Sequence, residues 1–414
     1  GASATRTLSG YTVIAGDVGN VVKITGGTNF TTGYYEITSV NTGASTWTLD
    51  RTCTTGAGSG MTGRMGGGSV SLNTIKDTFV AGNTIYVTGT TSHSTTCTFS
   101  AVNGTRDAPI RIIGYSSSRG DGGYATIQSG ASSINLIGTF VAGYSFENLV
   151  VEKLGAHSSV IGFVIQQGRN MLINCKGISC TTNFDIQGSC ALIKCVSTGG
   201  TTGFSFNANG GVTASFCESY NASGACFFAE PPAAASHSLN YCIAIDAGTY
   251  GFHFRENGTM TVQNCVAYSC TSGGFYVENW NGVVYYLTLI NCIASENGGY
   301  GFAGVSSGAT SRTRTINCAT YSNTSGATTN TINEGIITLT ADPFVTKTPG
   351  TGTGDYDLNN TAGGGAACRA TGYPSTMAYY TATTPYLNVG AGGFAASSGG
   401  TTTNVIVQKR IKVR

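Results

Sequence analysis

The chain has 414 residues, a formal net charge of +2 at pH 7 and 10% charged residues, against about 25% in ordinary globular proteins. So sparse and balanced a charge gives no steering towards nucleic acid or a membrane surface, and no run of about eighteen apolar residues marks a membrane span. No basic-then-apolar leader is visible either, so an exported chain would have lost its leader or left by lysis or phage assembly. Gly, Ser, Thr and Asn dominate, as in a chain that turns every few residues. Residues 1–68 read as a small β module. Val21 to Gly27, Tyr34 to Val40 and Ser45 to Arg51 alternate apolar and polar residues between glycine-rich turns. Gly56 to Gly68 reads as a flexible linker. Its glycines would suit a nucleotide-cradling loop, but no Gly-Lys-Ser/Thr follows.

In Ser69 to Gly89, Leu72, Ile75, Phe79 and Val80 fit one helical face, and Ala81 to Val87 then reads as a strand. Two further strand-like stretches follow, Ala108 to Tyr115 and Ala125 to Gly130. Between them lies Arg119-Gly120-Asp121, which permits an integrin-like reading. Its Gly-Asp-Gly-Gly context is that of a turn. Phe146 to Leu154 carries Asn148 and leads into the stretch that organises the chain.

Seven cysteines, Cys175, Cys195, Cys217, Cys242, Cys265, Cys292 and Cys318, recur at intervals of 20, 22, 25, 23, 27 and 26 residues. Asn174, Asn264, Asn291 and Asn317 precede four of them. Nine or ten residues after six of the cysteines comes a phenylalanine: Phe184, Phe204, Phe227, Phe252, Phe275 and Phe302. Gly203, Gly251, Gly274 and Gly301 stand before four of these and would ease a tight entry into a strand. Two markers in fixed register on a drifting period predict a solenoid of short strands. The length variation falls after the second marker, so one loop per repeat varies. Equivalent residues would stack about 4.8 Å apart. The cysteines then form a dry interior column of small hydrophobes, reduced rather than paired, since disulfides between stacked strands are strained. No CxxC pair suggests zinc.

This pattern resembles the right-handed parallel β-helix family, which includes pectate lyases and many phage tailspikes. The similarity covers residues 69–345. It implies an all-β solenoid in which the helix after Ser69 is the N-terminal cap, Ala108 to Gly130 belong to the first coils and Gly335 to Val345 is a closing coil. Residues 346–414 are a β-rich C-terminal region, within which Tyr386 to Ala391 resembles the terminal strand of similar phage and bacterial chains. The last ten residues alternate, with Val405, Val407, Ile411 and Val413 on one face and Arg410, Lys412 and Arg414 on the other. That is an edge strand with gatekeeper charges, or a docking strand for an acidic partner or neighbouring subunit.

The lyases of this family need clustered aspartates for calcium and a basic residue for proton abstraction. The related hydrolases use paired aspartates near a Gly-His-Gly turn. Neither motif is present, and the one Arg-Ile-Lys, Arg410 to Lys412, lies in the tail. The candidate site is instead a column. Glu230, Glu256 and Glu278 fall 13, 14 and 13 residues after Cys217, Cys242 and Cys265, which predicts one place on three successive coils. Arg255, Tyr276 and Trp280 lie beside them. Such a column would hold calcium or a sugar, or place two carboxyls about 5 Å apart as retaining glycosidases do; it would otherwise only start turns. The expected function is a non-enzymatic phage virion surface protein (fibre, spike or decorating component), on the virion or extracellular, with neighbouring subunits and a polysaccharide as partners. The alternatives are a polysaccharide lyase or glycoside hydrolase, and a bacterial surface adhesin.

Overall fold

The structure is a computed structural model that describes residues 5–6, 12–18, 20–65, 72–117, 119–230, 235–255, 258–278, 285–304, 312–347 and 355–369. It divides into two compact units, Gly1–Ile75 and Lys76–Arg414. Glu256, Trp280, Tyr386 to Ala391 and the basic C-terminal stretch lie outside the described residues.

In the first unit, the strands Thr5–Arg6, Thr46–Leu49, Gly33–Asn41, Val21–Phe30 and Thr54–Met65 lie in that order in one antiparallel sheet. Its core gathers Val22, Ile24, Ile37, Trp47 and Leu49. The Trp47 indole donates to the buried Asp17 carboxylate at 3.2 Å. The glycine-rich stretch expected to be a flexible linker is instead the strand Thr54–Met65, paired along Val21–Phe30 with register shifts. The partner strand fixes it: a Cβ on Gly58 would stand 2.7 Å from the Phe30 ring, and one on Gly63 2.8 Å from the Lys23 carbonyl oxygen. Glycine is what allows so close an approach.

The second unit is the parallel solenoid. Each coil contributes one strand to each of three parallel sheets, of eleven, ten and eleven strands among the described residues. One sheet runs from Thr84–Thr88 to Ile332–Glu334 and points Leu172, Leu192, Leu239 and Leu289 inward; we call it the leucine sheet. A second, the short sheet, runs from Thr90–His93 to Ile337–Thr338. The third, the phenylalanine sheet, runs from Thr98–Phe99 to Gly326–Thr329. Along it Phe163, Phe184, Phe204, Phe227, Phe252, Phe275 and Phe302 are in register. Their rings stack with centroids 4.6–5.1 Å apart.

The cysteine ladder sits just past a sharp corner between the leucine and short sheets. The residue before each ladder cysteine has positive φ: Asn174, Asn264, Asn291 and Asn317, but also Lys194, Phe216 and Tyr241. Asparagine tolerates this left-handed conformation better than most residues, which accounts for the Asn-Cys pairs. A second such corner follows four residues after each cysteine, at Ser179, Gly199, Asn221, Asp246, Ser269, Glu296 and Ser322. All seven ladder cysteines are fully buried, and all fourteen cysteines are free thiols. Burial holds Cys175, Cys217, Cys265 and Cys318 well above the usual thiol range. The glycines before phenylalanine also have a steric reason: a Cβ on Gly203 would meet Ser219 Oγ at 2.2 Å.

Two ends differ from expectation. The helical residues after Ser69 are one α-turn, Leu72–Ile75, continued as the 3-10 turn Lys76–Thr78. They end before Val80, which is 59% exposed, while the ring of Phe79 stacks on Phe99 of the first coil at 5.9 Å. Of the expected closing coil, Ile337–Thr338 is the last strand of the short sheet. Phe344–Thr346 then pairs antiparallel with Asp355–Leu358. Leu339, Phe344, Tyr356, Leu358 and Cys368 lie over Tyr268, Ile293 and Ala319 on the outer face of that sheet. Lys347 fastens the segment, binding Glu296 and, at 2.6 Å, Asp342.

One buried titratable group gives a pH prediction. His237 is 2% exposed, and its Nδ1 accepts the Val212 N–H at 3.1 Å. Burial pushes its pKa down to about 4 from 6.5. The unfolded chain takes up this proton near pH 6.5 while the folded chain does not until about pH 4, so stability falls as pH falls between the two. At about 1.4 kcal/mol per pH unit, His237→Asn is expected to remove roughly 2–3 kcal/mol of the stability difference between pH 7 and pH 4.5. Denaturant titrations at both pH values measure it; an unchanged difference would mean that His237 is already charged in the fold.

Candidate functional site

Counting three residues on from each phenylalanine of the interior stack gives Glu230, Arg255 and Glu278. Tyr250–Arg255 and Gly273–Glu278 are paired so that Arg255 lies directly opposite Glu278. Of the expected column of three glutamates, Glu230 and Glu278 lie in this row, and Glu256 lies outside the described residues. The middle place belongs to Arg255, and Glu256 is one residue further on. The offset is visible in the counts: Glu256 stands 14 residues after Cys242 and four after Phe252, whereas Glu230 and Glu278 stand 13 after their cysteines and three after their phenylalanines.

Arg255 bridges its neighbours. Its Nε lies 3.2 Å and its Nη2 3.3 Å from the Glu278 carboxylate, and its Nη1 is 3.9 Å from Glu230. The other Glu278 partner was not foreseen: His253 Nε2 is 2.9 Å from Glu278 Oε2. Burial lowers the His253 pKa, against the opposing pull of Glu278. The imidazole is then neutral at pH 7, with Nε2–H donating to the carboxylate. Glu230 and Glu278 stand two strand spacings apart, roughly 9–10 Å between their backbones, with a guanidinium between them. They do not form the adjacent carboxyl pair of a retaining glycosidase. Among the described residues no three His, Cys, Asp or Glu side chains gather as metal ligands.

These three side chains are only a quarter to a third exposed, so the bridge is more than a screened surface pair. Arg255→Met is expected to cost about 1–3 kcal/mol, with part recovered in the double variant Arg255→Met/Glu278→Gln. Equal stability of wild type and Arg255→Met would show that the bridge contributes nothing.

Tyrosines continue the face. Tyr276 lies beside His253 in register, and the rings of Tyr250 and Tyr276 stack at 4.2 Å and 13°. His253 leans on both, at 5.1 and 5.3 Å. Burial, with neighbouring negative charge adding to it, holds both phenols above their usual range, so they stay protonated donors. Next to them is an open groove of about 480 Å³ whose lining includes Tyr250, Gly273, Tyr276, Tyr300, Ala303 and Asn330. Gly273 is part of the lining. It pairs with Tyr250, and a Cβ there would stand 3.0 Å from the Tyr300 carbonyl oxygen and 3.5 Å from the Tyr250 ring. His253, Tyr250, Tyr300 and Gly273 escaped the sequence reading, although alignment on the phenylalanines puts His253 and Tyr276 in one row.

Arg119-Gly120-Asp121 is a structural turn. The Asp121 carboxylate accepts the backbone N–H groups of Ser116, Ser117 and Gly123, and Arg119 lies over the Tyr86 ring at 4.8 Å.

Three parallel sheets with one strand per coil define a parallel β-helix, the class to which this chain belongs by fold. The solved structure of a pectate lyase, Pel9A, shares that right-handed fold with a TM-score of 0.61 at 17% identity, covering 78% of this chain and 90% of the lyase chain. No protein-family model and no curated protein matches the sequence.

Proposed function

We propose that the chain is a carbohydrate-binding parallel β-helix protein that holds a neutral polysaccharide along the phenylalanine sheet without cleaving it. The observation that carries this is the groove, lined by Tyr250, Tyr276, Tyr300 and Gly273 beside a cluster of hydrogen-bonding side chains. Tyrosine offers a flat apolar ring and a polar tip, the combination a pyranose needs. Charge chooses the sugar: two carboxylates, one guanidinium and a neutral imidazole leave a net charge of −1 at the cluster. A polyuronate would be repelled.

The setting we assign is a virion surface or the extracellular space, in assembly with further subunits; its support is compositional, a chain with sparse charge and many turns. A second reading, a polysaccharide lyase or hydrolase, is favoured by the fold shared with Pel9A and by the neutral His253 held by Glu278. Incubation with neutral and acidic polysaccharides separates the two. The proposal expects binding of neutral polymers with no new reducing ends or unsaturated products. Unsaturated products from a polyuronate would overturn it.

A further inference from the structure

The corner column before the ladder cysteines contains an anomaly. It runs Asn174, Lys194, Phe216, Tyr241, Asn264, Asn291, Asn317, every member with φ between +47° and +56°. Bulky side chains are uncommon at positive φ, and strained backbone gathers at functional sites. Phe216 nevertheless holds φ +56° while 52% exposed, so burial does not explain it. The ring of Tyr241, one coil on, is stacked against it at 5.1 Å and 7°. Together they present two nearly parallel, stacked rings on the corner between the leucine and short sheets.

The adjoining row changes at the same coils. The last residue of each leucine-sheet strand is in register from coil to coil: Ile173, Ile193, Ser215, Asn240, Gln263, Ile290, Ile316. Isoleucine therefore gives way to Ser215 and Asn240 beside the two aromatics, and to Gln263 on the next coil, where the column returns to Asn264. The next outward row supplies Thr213, Ser238 and Thr261, with Asn240 donating to Ser238 at 2.9 Å. A protein partner docking on aromatic rings would be served by the isoleucines. Rings edged by hydroxyls and amides instead match a sugar, which has an apolar C–H face and hydroxyls around its rim.

We propose that Phe216 and Tyr241 form a second carbohydrate-contact platform, on a different face from the tyrosine groove, for the pyranose rings of a neutral hexose polymer. Phe216 and Tyr241 supply the stacking surface; Ser215, Asn240 and Gln263 bond the hydroxyls. This site does not depend on the groove.

The test is the full chain run through native gels containing dextran, galactomannan or xyloglucan, each against a gel without polymer. Wild type is expected to be retarded by at least one polymer. In Phe216→Asn/Tyr241→Asn the apparent affinity is expected to fall at least tenfold, with a melting temperature unchanged or higher, because asparagine is the residue this column uses elsewhere. Phe216→Trp keeps a ring and is expected to keep the retardation, which guards against a folding defect in the asparagine variant. Tyr276→Ala reads the groove separately, so either site can fail alone. Unchanged retardation of the double asparagine variant would overturn the platform. So would retardation of wild type by none of the three polymers, or a wild-type dimer in sedimentation that the double variant dissolves.

Discussion

Phe227→Ala is expected to lower the stability of the solenoid unit by about 3–5 kcal/mol, the range for deleting a large buried aromatic. Phe227 is 1% exposed, and its ring lies between those of Phe204 at 4.8 Å and Phe252 at 4.7 Å, at 6° and 7°. Stacked aromatic pairs add about 0.5–1.5 kcal/mol each beyond the area they bury, and this substitution removes two of them. The coils above and below are held by their own strand hydrogen bonds and cannot close over the void, so the cavity persists. Phe227→Leu, which refills part of the space, should lose less than half as much. Equilibrium denaturation of the three proteins measures the effect. A loss under about 1 kcal/mol for the alanine variant would mean that the interior is not packed around this column.

Tyr276→Ala is expected to weaken binding of a neutral oligosaccharide by about thirtyfold or more, the 2 kcal/mol or so that a central aromatic contact carries at a binding site. The substitution removes one ring of the stacked pair and opens the side of the groove, while the interior neighbours Phe275 and Val277 remain buried. Tyr276→Phe keeps the stacking face and should keep most of the affinity. Calorimetric titration of the three proteins with one oligosaccharide gives the comparison. Equal affinity in Tyr276→Ala and wild type would place the sugar elsewhere.

The interior was legible in the sequence because each coil must put a like residue at a like place. Cysteine and phenylalanine recur where the packing is tightest, and the asparagines mark a backbone conformation. What lay outside those columns was not legible. Lys194, Phe216 and Tyr241 share the asparagine conformation without sharing its chemistry. Of the candidate site, Glu230, Arg255, Tyr276 and Glu278 gather on one sheet with Arg255 in the row of Glu278, while Glu256 and Trp280 lie outside the described residues. The difference between 13 and 14 residues after the cysteine is small in the count and decisive for which side chain shares a row with Glu278. Thr54–Met65 failed for a related reason. Strand preference depends on neighbours as much as on the residues themselves, and the contacts that hold this glycine-rich strand are supplied by Val21–Phe30.

The central claim is that a neutral sugar lies flat on the tyrosines of the phenylalanine sheet. Saturation-transfer NMR on wild type with a neutral oligosaccharide, irradiating the protein's aromatic protons, tests it most directly. The account predicts transfer concentrated on the C–H protons of one pyranose face, lost in Tyr276→Ala and absent with an oligouronate. Strong transfer to the oligouronate, or transfer to the neutral sugar that survives Tyr276→Ala undiminished, would contradict it.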